Sequence, residues 1–321
     1  MSGLLQVRGL EVGIGGARPV DGIDFDVDAG EVLGIVGESG SGKSLTLRAL
    51  LGLLPAGAGV RGSVLWQGRE LLGLAEPALR RVRGGEIAMV FQEPMTALNP
   101  VLTIGLQITE TIVAHEAMSG RAARDRAASL LEQVGIADGR RRLSNYPHEF
   151  SGGMRQRAMI AAALAGSPKL LLADEPTTAL DVTIQDQILK LLLRLKDELA
   201  MSVVIVTHDL GVVAGICDRV AVLYAGRVME SGPVEAVFAR PAHAYTLGLL
   251  RSLPGVAAAR TRLGGIAGSP PDPRAVPPGC RFAPRCGFAV DACRVGDKAL
   301  VPVGPGRLSA CIRADVVGAA V

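Results

Sequence analysis

Aromatic residues are scarce. One Trp, three Tyr and six Phe make up 3% of the 321 residues, too few for the ring platforms on which single-stranded nucleic acids stack. Charge of one sign is missing as well. The 34 Lys and Arg nearly balance the 31 Asp and Glu, leaving a formal charge of +3 and no basic patch of the kind that tracks a phosphate backbone. No run of about 20 residues is free of charge, Pro and Gly, so no membrane-spanning helix is expected. The start, Met1-Ser2-Gly3-Leu4, lacks a positive stretch followed by an apolar one, so no signal peptide is expected and the polypeptide should stay on the cytosolic side. Cysteine is sparse and lopsided. Cys217 stands alone in an apolar segment, whereas Cys280, Cys286, Cys293 and Cys311 crowd near the end. In a reducing compartment such a cluster suggests metal rather than disulfides.

Hydrophobic residues (49%) and 41 glycines are plentiful, as in an α/β protein with many buried strands. The length leaves room for one large or two modest domains. Gly37-Glu38-Ser39-Gly40-Ser41-Gly42-Lys43-Ser44 is G-x-x-x-x-G-K-S, the phosphate-binding P-loop pattern. It has the context that pattern needs: the apolar run Val32–Val36 predicts a buried strand before it, and Leu45 to Leu53 a helix after it. Glycines let backbone N–H groups wrap a phosphate without Cβ clashes, and the helix adds the positive end of its dipole. Lys43 should reach the β- and γ-phosphates and the Ser44 hydroxyl should ligate Mg²⁺.

Upstream, Leu4–Val7 and Ile23–Val27 predict strands, the second with period two. Ser63–Trp66 and Ile87–Phe91 predict two more, the latter ending at Gln92. From about Pro100 to Leu143 the pattern turns helical, with Ile104, Ile108, Ile112 and Val113 at helical spacing and an amphipathic helix predicted over Arg121 to Val134. Ser151-Gly152-Gly153 then leads into a helix from Met154 to Leu164. There the serine can cap the helix and the open amides form a second anion site. Leu170 to Ala173 predict a strand ending in Asp174 and Glu175. In a P-loop protein an Asp at that position holds Mg²⁺, and the adjacent Glu is placed to polarise an attacking water. A long helix is expected from Thr183 to Leu199. The apolar Val203–Val206 predicts a parallel-type strand ending at Thr207-His208-Asp209, whose C-terminal end should face the nucleotide. Val220–Tyr224 and Arg227–Glu230 predict a hairpin.

P-loop, Gln92, Ser-Gly-Gly-Met-Arg-Gln, Leu-Leu-Ala-Asp-Glu-Pro, Ala-Leu-Asp and Thr-His-Asp occur in this order over about residues 4–235. In this the chain resembles the ATPase subunits of ABC transporters. The resemblance implies an α/β P-loop fold with a mixed sheet core, an antiparallel β subdomain and a helical subdomain over about 95–160. It also implies two subunits packed head to tail, each ATP lying between the P-loop of one and the Ser151-Gly152-Gly153 signature of the other. On that pattern Glu175 is the catalytic base, assisted by His208 at the γ-phosphate and by Lys43. Nucleotide contacts fall to Gly37, Ser39, Gly40, Ser41, Gly42, Lys43, Ser44 and Leu45, with Gln92, Ser151, Gly152, Gly153, Gln156 and Asp181. Ser44, Gln92 and Asp174 are the Mg²⁺ candidates.

A closer resemblance runs through Tyr146–Arg157, Ala173–Thr183, Phe91–Pro100 and Pro277–Cys286. These segments are similar to the ATPase subunits of dipeptide and oligopeptide importers, and they extend the likeness into a C-terminal extension, residues 236–321. Three departures stand out. The family's adenine-stacking aromatic is replaced within Val12-Gly13-Ile14-Gly15-Gly16; Ile14 can pack on a base but not stack as a ring does. Phe150 stands before the signature where many ABC proteins have Leu. His243-Ala244-Tyr245 replaces a His-Pro-Tyr.

By spacing alone, C-x5-C-x6-C-x17-C leaves an iron-sulfur cluster, zinc and free thiols all open. The importer resemblance implies a 4Fe-4S cluster on Cys280, Cys286, Cys293 and Cys311. The tail is expected to lie away from the P-loop, in a structural or sensory role. The whole pattern implies a peripheral ATPase on the cytoplasmic face of the membrane. It would power import of di- or oligopeptides through two permease subunits fed by an extracytoplasmic binding protein, with a paralogous ATPase as dimer partner and no nucleic acid. Nickel importers share these motifs. A soluble ABC ATPase would more often show tandem cassettes or a coiled-coil insertion, and this chain has one P-loop and no heptad run.

Overall fold

A computed structural model describes residues 3–178, 180–253 and 265–320; Ala179 of the Ala-Leu-Asp run lies outside the described residues. The chain forms two compact units, Met1–Leu72 with Thr207–Val321, and Gly73–Val206.

The first unit opens with β1 (Leu5–Ile14) and β2 (Ala17–Val27), antiparallel with Ile14 opposite Ala17. Gly15 and Gly16 join them with φ of 55° and 82°, the two positive values a tight primed hairpin turn requires. Both strands run longer than their apolar stretches predict, because the in–out alternation of β1 breaks at a bulge around Arg8 and Gly9 and resumes at Leu10. β3 (Val32–Val36) follows, buried at every position, and leads through the P-loop into α1 (Lys43–Leu50). β4 (Gly59–Trp66) and β5 (Arg69–Glu70) complete a sheet of order β2-β1-β4-β5.

The second unit holds α2 (Glu76–Val82), β6 (Ile87–Val90), α3 (Pro94–Ala97), α4 (Ile104–His115), α5 (Gly120–Gln133) and α6 (Gly139–Arg142). It continues with α7 (Gly152–Leu164), β7 (Leu170–Asp174), α8 (Val182–Glu198) and β8 (Ser202–Thr207) up to Val206. β7 lies between β6 and β8, parallel to both. All three are buried throughout, which is why they are apolar without alternation. The helical stretch expected from Pro100 to Leu143 is three helices. Thr103 and Ser119 cap the first two by accepting from Leu106 N–H and Ala122 N–H.

The first unit resumes with α9 (Leu210–Ile216), β9 (Arg219–Tyr224), β10 (Arg227–Pro233), α10 (Val234–Ala239) and α11 (Ala244–Arg251). It ends with β11 (Val301–Gly304), β12 (Arg307–Ser309) and α12 (Ala314–Gly318). β9 is parallel to β3 and antiparallel to β10, so the sheet is mixed. The extension adds to it: β12 pairs with β10, placing Ser309 opposite Glu230.

A tail remote from the P-loop is not what forms. Phe282 of the extension packs in one core with Val36, Val222, Tyr224 and Tyr245, its ring 5.3 Å from those of both tyrosines. Arg281 is buried and pairs with Asp21 of β2. The scarce aromatics are concentrated where the extension meets the strands beside the P-loop. That seam supplies the apolar area which a segment rich in Pro and Gly could not assemble alone.

Candidate nucleotide site

In the first unit the P-loop runs from the end of β3 to the start of α1. Two glycines have no substitute. A Cβ on Gly37 would lie 2.0 Å from the Leu223 carbonyl oxygen, and one on Gly42, whose φ is +101°, would lie 2.4 Å from that of Pro19. The loop is wedged between β9 and β2 by close backbone approach. Ser39 and Gly40 are exposed, Ser41, Gly42 and Lys43 buried, and Ser44 and Leu45 half-buried. Lys43 Nζ donates to the carbonyls of Gly37 (2.7 Å) and Glu38 (2.9 Å), so its ammonium lies back across the loop. The Thr46 hydroxyl donates to the Gly42 carbonyl and fixes the first turn of α1. His208 is exposed just after β8, and the following Asp209 caps α9 by accepting from Gly211 N–H at 2.7 Å. Ile14 is half-buried at the tip of the β1–β2 hairpin.

The second unit carries the carboxylates. Asp174 ends β7 and is fully buried, a placement that suits a hard cation seeking oxygen ligands. Glu175 follows with φ of 45°, a left-handed backbone that costs a non-glycine residue about 1–3 kcal/mol and collects at functional sites. Its N–H donates to the Val206 carbonyl. Its Oε2 accepts from the Thr178 hydroxyl (2.8 Å) and from Gln92 Nε2 (3.2 Å). Gln92 and Glu175 are therefore brought together within this unit. Gln185 steadies the intervening loop by donating to the carbonyls of Thr177 and Leu180, each at 3.1 Å.

Ser151 caps α7 by accepting from Met154 N–H, which leaves Gly152 and Gly153 as its opening turn. Gly153 faces Ile184 of α8, where a Cβ would meet Cγ2 at 3.0 Å. Gln156, one turn further on, is buried with 2% exposure. Asp181 caps α8 by accepting from Ile184 N–H at 2.9 Å.

In the extension, Cys280, Cys286, Cys293 and Cys311 line one cavity together with His243. Burial holds the Cys280 and Cys286 thiols above their ordinary pKa and pushes Cys311 up to about 11. Lone Cys217 is pushed up to about 12 in the same way. Among the described residues no three His, Cys, Asp or Glu side chains are grouped so as to hold a metal ion. The four thiols line one cavity, but the expected 4Fe-4S centre is not shown: no metal-binding group forms among the described residues. His243 is buried and its pKa driven down to about 4; Nδ1 accepts from Tyr245 N–H, and Nε2 lies 3.9 Å from Cys280 Sγ. Ala244, the family's proline position, is the first residue of α11. Its N–H hydrogen-bonds the Cys311 sulfur, a contact that a proline, lacking the N–H, could not make.

Sequence reasoning missed the support of the loop. Arg285 clasps the Glu38 carboxylate with both ends of its guanidinium, at 2.6 and 3.0 Å, and Glu38 N–H donates to the Tyr245 hydroxyl at 2.8 Å. The Glu38 carboxylate in turn raises the Arg285 pKa beyond its ordinary range. Arg285 stands in a segment already conspicuous for its cysteines, but nothing local names a partner 247 residues away.

A P-loop on a mixed sheet, a buried strand-end Asp followed by Glu, and a capped Ser-Gly-Gly helix define a P-loop ATPase of the ABC class. Residues 20–178 match the ABC transporter family, and residues 229–293 match the oligopeptide/dipeptide transporter C-terminal region. The chain belongs to the ATP-binding subunits of peptide ABC transporters. It is 52% identical to a probable peptide ABC transporter ATP-binding protein of Sinorhizobium fredii, over 98% of this chain and 96% of that one. It is 48% identical to the oligopeptide transport ATP-binding protein OppD of Salmonella typhimurium, over 97% and 93%. A dimeric ATP-binding cassette solved in a post-hydrolysis state with ADP and Pi aligns with a TM-score of 0.64 at 30% identity, covering 72% of this chain and 98% of that one.

Proposed function

We propose that the protein hydrolyses ATP to drive import of di- and oligopeptides through membrane permease subunits. The observation that carries this reading is the match of its extension, residues 229–293, to the C-terminal region of oligopeptide/dipeptide transporters, joined to a P-loop cassette. Lys43 and the loop amides bind the β- and γ-phosphates. Ser44, Gln92 and Asp174 would hold Mg²⁺, which when bound would neutralise phosphate charge. Glu175 takes the proton of the attacking water, and His208 and Gln92 contact the γ-phosphate. Ser151, Gly152 and Gly153 serve the nucleotide of a second, paralogous subunit across a head-to-tail dimer, with Gln156 and Asp181 supporting that face. Stabilisation of the transferred phosphoryl group is complete only on closure. Ile14 packs on adenine.

In this reading the protein sits at the cytoplasmic face of the membrane, with two permeases and an extracytoplasmic binding protein completing the assembly. Among the described residues no helix is long and apolar enough to cross a membrane. A groove of about 800 Å³ in the second unit, lined by Thr103, Leu106, Thr109, Val113 and Leu143, supports permease docking, since Leu106 and Val113 are exposed. Vesicles carrying the protein with its permeases and binding protein should take up labelled peptide only with ATP inside the cytoplasmic compartment. Nickel uptake without peptide uptake would overturn the substrate assignment.

The four thiols are proposed to hold an iron-sulfur cluster. The four thiols line one cavity; thiolates suit zinc and iron-sulfur clusters alike, and it is the resemblance to the peptide importers that favours the cluster. A bound cluster would tie the extension's loops into one fold. Anaerobically purified protein should contain about four irons per chain with broad visible absorption; one zinc and no iron would replace the cluster with a structural knuckle.

A further inference from the structure

We propose that Arg285, from the C-terminal extension, is a positioning residue for ATP: it fixes Glu38 and through it the loop on which Lys43 rests. The proposal rests on the reading of the P-loop as the ATP site. Glu38 is held at three points. Its N–H donates to the Tyr245 hydroxyl, its carbonyl accepts from Lys43 Nζ, and its carboxylate takes the Arg285 fork. Two of those three holds come from α11 and the extension; the third is the phosphate-binding lysine itself.

Arg285 is built for this task. Its side chain is 6% exposed. All five of its N–H donors have acceptors: Nε meets the Ala267 carbonyl, Nη1 meets Glu38 and the Tyr224 hydroxyl, and Nη2 meets Glu38 and the Ile266 carbonyl. Its guanidinium carbon lies 5.6 Å from the Tyr224 ring centre and 5.8 Å from that of Phe282. A planar fork fixed in this way is pre-organised, and little entropy remains to be lost when it grips a carboxylate. The loop it grips is rich in glycine and would otherwise sample many conformations. Holding it in one form before the nucleotide arrives raises affinity without a direct contact. Arg285 also directly precedes Cys286, so the cysteine cavity and the phosphate loop share a single turn of chain, Ala283–Arg285.

The test is equilibrium binding of a fluorescent ATP analogue with Mg²⁺ to the full chain, alongside thermal melts without nucleotide. Arg285→Ala should weaken binding about tenfold, the scale of one lost charge-assisted contact. Arg285→Lys, which keeps the charge and loses the fork, should recover only part of it. Glu38→Gln reaches the same contact from its more exposed end and decides the question if Arg285→Ala does not fold. The double variant Glu38→Gln with Arg285→Ala should be no weaker than Arg285→Ala alone, because both act through one contact. Unchanged affinity in Glu38→Gln, or losses that add in the double variant, would overturn the proposal. Failure of the unaltered chain to bind the analogue would instead remove the ATP reading on which it rests.

Discussion

Glu175→Gln is expected to bind ATP as the unaltered chain does and to hydrolyse it about 10³-fold more slowly, the middle of the range for loss of a general base. Glutamine keeps the size and shape of the side chain. It can still accept from Thr178 and Gln92, which hold Oε2 at 2.8 and 3.2 Å, and it requires no new backbone at a φ of 45°. What it loses is the capacity to take a proton. Alanine would be a poorer test, because it would also release the Gln92 amide and the Thr178 hydroxyl. The measurement is phosphate release at saturating ATP, paired with nucleotide affinity. Turnover within tenfold of the unaltered chain would remove Glu175 from the base role. Loss of affinity together with rate would point to collapse of the Thr178–Gln92 arrangement instead.

The strained backbone at Glu175 is invisible in the sequence. The strand and the Asp-Glu pair are legible because a parallel strand buried on both faces leaves a continuous apolar run, and charge reappears only where it ends. Ser151 is legible for a similarly local reason: a hydroxyl one residue before a helix is the common N-cap; that Asp181 caps α8 emerges only in the structure. The φ of Glu175, by contrast, is imposed by neighbours, since its N–H is directed to the Val206 carbonyl of the adjacent strand. The extension repeats the contrast at larger scale. Its cysteines suggest a shared site by crowding near the end of the chain, and they do line one cavity. Its strands β11 and β12 and its aromatic seam with Tyr224 and Tyr245 go unannounced. Short segments rich in Pro and Gly carry no periodicity of their own, and β12 gains its partner only because β10 offers an open edge. The Arg285–Glu38 pair is of the same kind: two ordinary charged residues that acquire meaning from the fold.

Lys43→Ala should have the second large effect, lowering ATP affinity and turnover together by about 10²–10³-fold, as removal of a charge-stabilising donor in a water-poor site does. The lysine is 5% exposed, and its ammonium is already solvated by protein, through the carbonyls of Gly37 and Glu38. Those carbonyls keep the charge in place before a phosphate enters, so the cost of burying the ammonium is met within the loop rather than at binding. Alanine removes the charge and both hydrogen bonds at once. The loop should nevertheless remain standing, because Glu38 keeps its ties to Arg285 and Tyr245 and Gly42 keeps its close approach to Pro19. A melt of the nucleotide-free variant close to that of the unaltered chain, with binding lost, is therefore the expected pair of results. If Lys43→Ala kept its affinity and lost only turnover, the lysine would act on the transition state alone, and ground-state binding would belong to the loop amides. If it melted far earlier, the two carbonyl contacts would be what holds the loop, and the clasp from the extension would be secondary to them.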